Sequence, residues 1–382
     1  MDLYWYSNNN THINLTNYTI IDELGPQLEA IPSKYHIIVV LVYTVTAVCA
    51  LLANALAIWV LASGTRTSAE MSKYLINLSV SDIIMSAFST PFSYTNFMYG
   101  RWLFWPGFCP VVLSIQVLSM FVSIYTLIAI GIDRYYAIVR PLDTGNWLKN
   151  FPRVTIAAIW FAALCICLVT YFNSEAVEFV WPATNQTYYD CRETWTDRAG
   201  KVYTISMFVI TFAAPVLVMV FVYSCMAHAV SHRRQLGRHL STHLSRQKTQ
   251  IIKLLITVVL AFIICWTGIQ LFGIVVWLFP QLMRFSTKAK YYGYVGIYFT
   301  LNWISMFHST VNPIIYTFVS DNFRSDLKSV LQKFFKNRHL LSRFGTNNSS
   351  TGSRRSQTSQ TSNKTIISFN TNDSSVEVAL IN

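Results

Sequence analysis

Charged residues are scarce in this sequence. Only 12% of the residues are charged, 53% are hydrophobic, and the mean hydropathy is positive at +0.38. A soluble domain carries about 25% charged residues, so this composition leaves too little polar surface to cover a water-soluble core. The composition therefore excludes an ordinary soluble protein and predicts a membrane protein.

The first residues, MDLYWYSNNNTHINLTNYT, lack the basic region followed by an apolar region that marks a cleavable signal peptide. We therefore expect the first membrane span to serve as the insertion signal. The sequence also contains no catalytic triad, phosphate-binding loop or zinc motif, so we do not expect an enzyme.

Ionisable residues deep inside the apolar runs are rare as well. Asp82 is the clear case, and a carboxylate at that depth costs several kcal/mol, which marks it as a functional candidate. Transporters and pumps usually need several such groups along their path. The shortage favours a signalling bundle, and a seven-span transporter is the less favoured alternative.

Long apolar runs dominate what the sequence does contain. Crossing ~30 Å of hydrocarbon takes about 20 apolar residues in a helix, and a helix satisfies its own backbone in lipid. Seven runs reach this length and are called spans 1 to 7 in chain order: Tyr35–Leu61, Tyr74–Met98, Val111–Ile138, Val154–Phe172, Tyr203–Ala229, Ile251–Leu278 and Tyr291–Val319. They predict an all-α membrane protein, a seven-transmembrane helix bundle over residues 35–320.

The sequence after span 7 divides into two parts. Apolar residues at helical spacing, with basic residues between them, predict a short amphipathic helix at the inner membrane surface over residues 321–337. These apolar residues are Phe323, Leu327, Val330, Leu331 and Phe334. Residues 338–382 are rich in Ser and Thr and predict a disordered cytoplasmic tail that accepts phosphates. An ordinary cytosolic helix and an inert tail are the alternatives.

The distribution of basic residues orients the spans. Lys and Arg are frequent in the loops between spans 1 and 2, 3 and 4, and 5 and 6, which places these loops in the cytoplasm. The loop between spans 6 and 7 departs from this trend. Residues 1–34 then form an extracellular, glycosylated amino terminus, and the carboxy terminus is cytoplasmic, as in a multi-pass protein of the plasma membrane. Sequons support this orientation unless they occur by chance: Asn9, Asn14 and Asn17 before span 1, and Asn185 between spans 4 and 5.

Two of the seven cysteines lie at or beyond the outer ends of the spans. Cys109 precedes span 3 and Cys191 lies in the loop before span 5, whereas the other cysteines lie inside apolar runs. In an oxidising compartment these two can form a disulfide that ties the loop to span 3. Two free thiols are the alternative.

An acid and a base stand side by side at the inner end of span 3. Asp133 and Arg134 follow an uncharged stretch from Met120 to Ile132. The plain interpretation is an interfacial anchor, because Arg can snorkel to the membrane surface. The alternative is a switch, in which Asp133 holds Arg134 in one state and releases it in another.

Short motifs in every span resemble those of the rhodopsin-like, or class A, G-protein-coupled receptors. They cover nearly all of Tyr35 to Phe335, and each alone is weak, whereas the ordered set is specific. The motifs are Asn54 in span 1, Asp82 in span 2, Cys109 and Asp133-Arg134-Tyr135 in span 3, Trp160 in span 4, Pro215 and Tyr223 in span 5, Cys265-Trp266 in span 6, and NPIIY from Asn312 to Tyr316 in span 7.

The resemblance implies how such a receptor switches. Asp133 and Arg134 rest together in the inactive state, and on activation the inner end of span 6 swings outward. The implied switch residues are Asp133, Arg134, Tyr135, Tyr223, Asn312, Pro313 and Tyr316, and the implied connector to the outer half is Ile124, Pro215, Phe262 and Trp266. The resemblance implies no cofactor other than an allosteric sodium ion at Asp82, Ser123 and Asn312.

The resemblance also narrows the ligand. The position of the retinal lysine of opsins holds Met306, and that of the amine-binding aspartate holds Gln116, which offers hydrogen bonds in place of an ion pair. Span 3 and its surroundings are most similar to the invertebrate neuropeptide Y-like and RYamide receptor group, which implies an amidated neuropeptide. The implied pocket is Gln116, Asn96, Gln270, Tyr298 and Asn302. A constitutively active receptor or a receptor for a non-peptide ligand is the alternative.

The implied partners lie on both sides of the membrane. They are a neuropeptide, a heterotrimeric G protein, arrestin and receptor kinases at the Ser/Thr-rich tail, and membrane lipids, and no nucleic acid is implied. Acids near the outer ends are candidate contacts for an arginine of the peptide, with solvated loop charges as the alternative. These acids are Glu175, Glu178, Asp190, Glu193 and Asp197.

Several positions depart from the pattern of the family, and three of them concern span 6 and the residues just before it. Gly268 replaces the usual proline of span 6, so a bend is permitted but not enforced. Lys248 replaces an acid that locks Arg134 to span 6 in some members, which predicts a raised basal activity. Trp277 occupies an outer position of span 6 where several related peptide receptors have an acid.

Overall fold

All seven predicted spans are helical in a computed structural model, which describes residues 29–140, 151–181, 184–235, 242–283, 285 and 287–346. A tail helix follows span 7 and runs past the predicted end at residue 337. The bounds are span 1, His36–Ser63; span 2, Ala69–Phe88 and Thr90–Tyr99; span 3, Cys109–Val139; span 4, Pro152–Phe172; span 5, Asp197–Phe208, Val209–Ala213 and Ala214–Gln235; span 6, Thr242–Leu278; span 7, Lys288–Val319; and the tail helix, Asp321–Thr346.

Span 7 differs from the other spans in polarity. Six helices, in spans 1 to 6, are long and apolar enough to cross a membrane by length and composition alone. Span 7 has 32 residues, so its length suffices, but its buried face carries Asn302, Ser305, His308 and Asn312. Because span 7 packs against spans 1, 2 and 6, these polar groups lie inside the bundle. The seven-helix bundle predicted from the sequence is confirmed.

The boundary between two compact units falls within the tail helix. Residues up to Lys333 form one unit, and residues from Phe334 onward form the second. Within the first unit the helix buries Phe323, Asp326 and Val330, whose spacing of three and four residues places them on one face. The predicted amphipathic pattern is therefore present in the first turns of the helix.

Two spans are interrupted inside the bundle. Span 2 breaks at Ser89, where the Thr90 hydroxyl donates to the Met85 carbonyl at 3.2 Å. Span 5 contains one π-helical turn, Val209–Ala213, just before Pro215. A proline removes a backbone donor and disturbs the preceding turn, which explains the position of the π turn.

Span 6 passes through Gly268 without a break. A Cβ at this position would lie 2.5 Å from Cδ2 of Leu301 on span 7. Glycine therefore lets the Leu301 side chain lie directly on the backbone of span 6. Gly268 thus has a packing function in addition to the bending predicted from the sequence.

A two-stranded antiparallel hairpin lies between spans 4 and 5 and was not predicted. Strand β1 is Ser174–Trp181 and strand β2 is Gln186–Glu193. In the turn between them Asn185 has a φ of 51°, in the left-handed region that Asn tolerates better than most residues. The alternating residues of EAVEFVW, followed by a turn, were the signal that could have revealed it.

Candidate functional site

A cleft of about 100 Å³ lies among the outer ends of spans 2, 3 and 7 and the hairpin. Four of the five predicted pocket residues line it, whereas Gln270 on span 6 lies beside Met120, with its Nε2 3.4 Å from the sulfur. The lining consists of Ser93, Asn96, Phe97, Trp102, Val112, Leu113, Gln116, Cys191, Tyr298 and Asn302.

Two polar side chains of the cleft have no hydrogen-bond partner among the residues that the structure describes. The Ser93 hydroxyl is buried and unpaired, and the Gln116 amide makes no side-chain hydrogen bond. A buried donor or acceptor without a partner costs about 1–3 kcal/mol. This cost applies to the buried Ser93 hydroxyl, whereas the Gln116 side chain is partly exposed, and both suit a ligand that brings its own donors and acceptors.

Asn96 uses its whole side-chain amide to hold strand β2. Its Nδ2 donates to the Cys191 carbonyl at 3.0 Å and to Asp190 Oδ1 at 3.1 Å, and its Oδ1 accepts from the Cys191 N–H at 3.1 Å. Cys191 also forms the predicted disulfide with Cys109, which is thereby confirmed. Strand β2 is therefore held at Cys191 both by the disulfide and by Asn96. Asn96 thus positions the hairpin, whereas the sequence suggested that it contacts the ligand directly.

The Asn302 side chain also forms a hydrogen bond within the protein. Its Oδ1 accepts a hydrogen bond from the Tyr43 hydroxyl at 2.9 Å, and the Tyr43 ring stacks on Tyr94 with centroids 4.3 Å apart. Tyr43 lies on span 1 and was not among the predicted site residues, because no sequence motif marks it. Tyr298 packs on Phe97, with centroids 4.1 Å apart, and forms an apolar wall of the cleft.

The outer acids differ in their surroundings. Asp190 on β2 has a side chain that is only 13% exposed, and it is held by Asn96. Its Oδ2 lies 3.8 Å from Nη1 of Arg192, which is longer than a hydrogen bond. The other four are exposed or engaged elsewhere: Glu175 and Glu178 are exposed on β1, Asp197 pairs with Lys201 at 3.2 Å, and Glu193 accepts from Trp195 Nε1 at 2.9 Å.

Trp277 closes the outer ends of spans 5 and 6. A Cβ at Gly200 would lie 2.4 Å from the Trp277 ring and 3.2 Å from Trp195 Cβ, so the indole lies directly on the backbone of span 5. Trp195 in turn stacks on Tyr203, with centroids 4.6 Å apart. Trp277 is the position at which several related peptide receptors have an acid, and here it belongs to an aromatic cluster instead.

The predicted connector residues are all buried, and two of them, Phe262 and Trp266, are in contact. Ile124 and Phe262 are completely buried, Pro215 is buried, and Trp266 is 6% exposed. The centroid of the Phe262 ring lies 6.1 Å from the centroid of the Trp266 ring and 5.5 Å from the centroid of the His308 ring. Spans 6 and 7 therefore meet in one aromatic stack.

Asp82 lies at the level of the NPIIY motif and bonds to it. Its Oδ2 accepts from Asn312 Nδ2 at 2.8 Å, while Asn312 Oδ1 has no partner within the described chain. Ser123 lies 2.7 Å, oxygen to oxygen, from Ser81, the residue before Asp82. Carboxylate and amide oxygens are ligands that hard cations prefer, so Asp82 and the unpaired Asn312 Oδ1 fit the sodium ion that the resemblance implies.

The Asp133–Arg134 pair is closed. Arg134 Nε donates to Asp133 Oδ2 at 2.8 Å, Nη2 contacts the same oxygen, and the Asp133 side chain is 3% exposed. Tyr223 and Tyr316 carry buried hydroxyls without a partner in the described part of the chain. A Cβ at Gly131 would lie 3.2 Å from the Tyr223 hydroxyl, which places this group against span 3 close to the pair.

The remaining predicted residues are placed as follows. Pro313 lies inside the span 7 helix, and Tyr135 is half-buried, with its ring 5.6 Å from that of Tyr136. Asn185 is exposed at the hairpin turn. The other sequons, Asn9, Asn14 and Asn17, and the side chain of Lys248 lie outside the described residues.

Comparison with known proteins agrees with the resemblance found in the sequence. The profile of the family described as "7 transmembrane receptor (rhodopsin family)" matches residues 53–316. The chain is 29% identical to the RYamide receptor of Drosophila melanogaster over 305 residues, which are 78% of this chain and 64% of that receptor. It is 28% identical to the RYamide receptor of Tribolium castaneum over 300 residues, 76% of this chain and 79% of that receptor. It is 30% identical to the Substance-K receptor of Mesocricetus auratus over 285 residues, 72% of this chain and 70% of that receptor. The chain therefore belongs to the rhodopsin family of seven-transmembrane receptors.

Proposed function

We propose that this chain is a plasma-membrane receptor for an extracellular amidated neuropeptide and that it activates heterotrimeric G proteins. The observation that carries the proposal is the outer cleft, in which Ser93 and Gln116 have no hydrogen-bond partners within the described residues. A peptide with an amidated end supplies both donors and acceptors, which match a neutral Gln. Relatives named as RYamide and Substance-K receptors support a peptide ligand.

A cationic side chain of the peptide would bind to Asp190. This carboxylate is nearly buried and is held in place by Asn96, so it requires little ordering when a ligand binds. A guanidinium forms short, charge-assisted hydrogen bonds with a carboxylate. It would replace Arg192, whose Nη1 is 3.8 Å away, as the counter-charge.

The activation step follows from the closed pair at the inner end. In the resting receptor Arg134 is bound to Asp133. When the peptide binds, the aromatic stack of Trp266 and Phe262 transmits the change, and the inner end of span 6 swings outward. Arg134 then meets the G protein and pairs with Tyr223, whose buried hydroxyl lacks a partner in the described resting chain. That unpaired hydroxyl raises the free energy of the resting state and so lowers the cost of switching.

The other partners follow from the orientation of the chain, with its amino terminus outside and its carboxy terminus in the cytoplasm. When bound at Asp82, Ser123 and Asn312, sodium would supply a counter-charge to the buried carboxylate. The Ser/Thr-rich residues 338–382 would accept phosphates from receptor kinases and then bind arrestin. The basic tail helix would lie on anionic lipids of the inner leaflet.

The test measures second-messenger output in cells that express this chain with a promiscuous G protein, challenged with a panel of amidated neuropeptides that includes RYamides. We expect a nanomolar response that Gln116→Ala and Arg134→Ala abolish without a change in surface expression. Silence to every peptide, with a high basal signal that Arg134→Ala abolishes, would instead support a constitutively active receptor. Silence without a basal signal would overturn the proposal.

A further inference from the structure

The tail helix carries an acid on its buried face. Asp326 is 4% exposed and lies between Phe323 and Val330, which are 4% and 6% exposed. Burying a carboxylate among apolar residues is costly unless the charge is paired or hydrogen-bonded. The partners of Asp326 therefore indicate why the acid is there.

These partners belong to the backbone of the loop between spans 1 and 2. Asp326 Oδ1 accepts from the Thr65 N–H at 3.3 Å, and Oδ2 accepts from the Arg66 N–H at 3.2 Å. Gly64 completes the contact, because a Cβ there would lie 2.6 Å from both Cγ and Oδ2 of Asp326 and 2.8 Å from the Val60 carbonyl oxygen. The φ of Gly64 is −78°, which any residue adopts, so the close approach of the carboxylate and of the Val60 carbonyl is what favours glycine here.

We propose that this contact, the Gly64–Asp326 clasp, positions the tail helix for coupling to the G protein. The inference rests on the function proposed above. The clasp fixes the helix to the inner end of span 1, and Phe323, one turn before Asp326, packs on Tyr316 with centroids 5.9 Å apart. The clasp therefore holds the helix in place next to a switch residue of span 7, and Asp326 is a positioning residue that acts through the helix.

Three variants test the clasp. Asp326→Ala removes both acceptor oxygens, Asp326→Asn keeps one oxygen and removes the charge, and Gly64→Ala places a methyl group where the carboxylate lies. Gly296→Ala on span 7 is the matched control, because a Cβ at Gly296 has no atom within 4 Å in the described structure. Asn322→Ala, an exposed position of the same helix, is the second control.

The measurements use the full-length receptor in lipid nanodiscs. Hydrogen exchange of the Thr65 and Arg66 amides reports the clasp itself, and nucleotide exchange on a purified G protein, stimulated by an amidated peptide ending in Arg-Tyr, reports coupling. We expect Asp326→Ala and Gly64→Ala to expose both amides and to slow nucleotide exchange about tenfold. Peptide affinity, measured without G protein, and surface expression stay at wild-type values, and Asp326→Asn falls between.

The double variant gives the sharpest result. Because part of the effect of Gly64→Ala comes from displacing the carboxylate, its effect should be smaller in the Asp326→Ala background than in the wild-type receptor. Additive effects would overturn the clasp, as would wild-type amide exchange in Asp326→Ala. Wild-type coupling with exposed amides, or a parallel loss of expression and peptide affinity, would overturn the positioning function. If the wild-type receptor responds to no peptide, the proposed function fails, while amide exchange and ligand-free nucleotide exchange still decide the clasp.

Discussion

The outer and inner ends of the bundle differ in how their polar groups are paired. At the outer end, Ser93 and Gln116 face a cleft and have no partners within the described residues. At the inner end the strongest pair, Asp133 with Arg134, is closed, while the Tyr223 hydroxyl beside it is buried and unpaired in the same part of the chain. In the proposed function the outer end therefore takes up an added molecule, whereas the inner end rearranges groups that it already contains.

The two ends also differ in rigidity. The hairpin over the cleft is fixed by the Cys109–Cys191 disulfide and by the amide of Asn96, so the outer end is organised before a ligand arrives. At the inner end, the proposed switch gives the Arg134 guanidinium a second partner, Tyr223, besides Asp133. A ligand shifts such an equilibrium only by the difference in its affinity for the two states. The proposed function thus separates binding, at the rigid end, from switching, at the bistable end.

The largest effect is expected from opening the inner pair. Asp133→Asn removes the charge that holds Arg134, and a hydrogen bond to a charged group contributes about 1.5–3 kcal/mol, a shift of about 10- to 100-fold in the resting equilibrium. We expect ligand-free nucleotide exchange to rise accordingly, while peptide still binds. Adding Arg134→Ala should abolish the raised basal signal, and an unchanged basal rate in Asp133→Asn would show that the pair is only an anchor.

The rigid outer end is tested at Asn96. Asn96→Ala removes three hydrogen bonds to β2 and leaves the disulfide, so we expect peptide potency to fall about tenfold. Ligand-free nucleotide exchange should stay unchanged, because the inner pair is intact. Thr95→Ala is the neighbouring control, since the Thr95 hydroxyl bonds only within its own helix, to the Phe92 carbonyl. A raised basal signal in Asn96→Ala would contradict the separation of the two ends.

A variant of Asp190 can distinguish two functions of this residue, pairing with a cationic ligand and supporting the hairpin. Asp190→Asn keeps an oxygen for the Asn96 amide and removes the negative charge. Against the wild-type receptor, an amidated peptide with arginine should be several-fold more potent than the same peptide with neutral citrulline, as expected for a charge-assisted hydrogen bond. Against Asp190→Asn the two peptides should be equal. Asp197→Asn, an exposed acid paired with Lys201, should preserve the preference, and a preference that survives Asp190→Asn would exclude this residue as the partner.

Hydropathy and motif order were enough to predict the spans, the family and the disulfide, because crossing a membrane demands long apolar helices. The contacts that fix the two ends were not predictable in the same way. Asn96 and Cys191 are 95 residues apart in the chain, and Asp326 and Thr65 are 261 apart. No periodicity relates such positions, so Asn96 was interpreted as a ligand contact and Asp326 was not singled out.

The hairpin and Gly268 show a second limit. A strand pair between two membrane helices is short, and its alternation is weak beside the hydropathy of the spans. Gly268 was interpreted through the proline that it replaces, whereas the structure relates it to Leu301 on another span. Sequence patterns describe an element by its own residues, and these features depend on the neighbouring element.

The smallest expected effect lies in the middle of the bundle and belongs to neither end. The Tyr125 hydroxyl on span 3 donates to the Ile210 carbonyl in the π turn of span 5 at 3.1 Å. The π turn disturbs the regular backbone bonds, so this hydroxyl supplies a partner to a carbonyl of the turn. Tyr125→Phe should lower the free energy of unfolding of the purified receptor by about 1 kcal/mol, measured as a lower midpoint of thermal denaturation in detergent.

Tyr171→Phe on span 4 is the matched control, because the exposed Tyr171 makes no side-chain hydrogen bond in the described structure. Peptide potency and ligand-free nucleotide exchange should both stay at wild-type values. A change in either one, at unchanged expression, would mean that the π turn of span 5 couples the rigid outer end to the bistable inner end, and the separation of binding from switching would then have to include this turn.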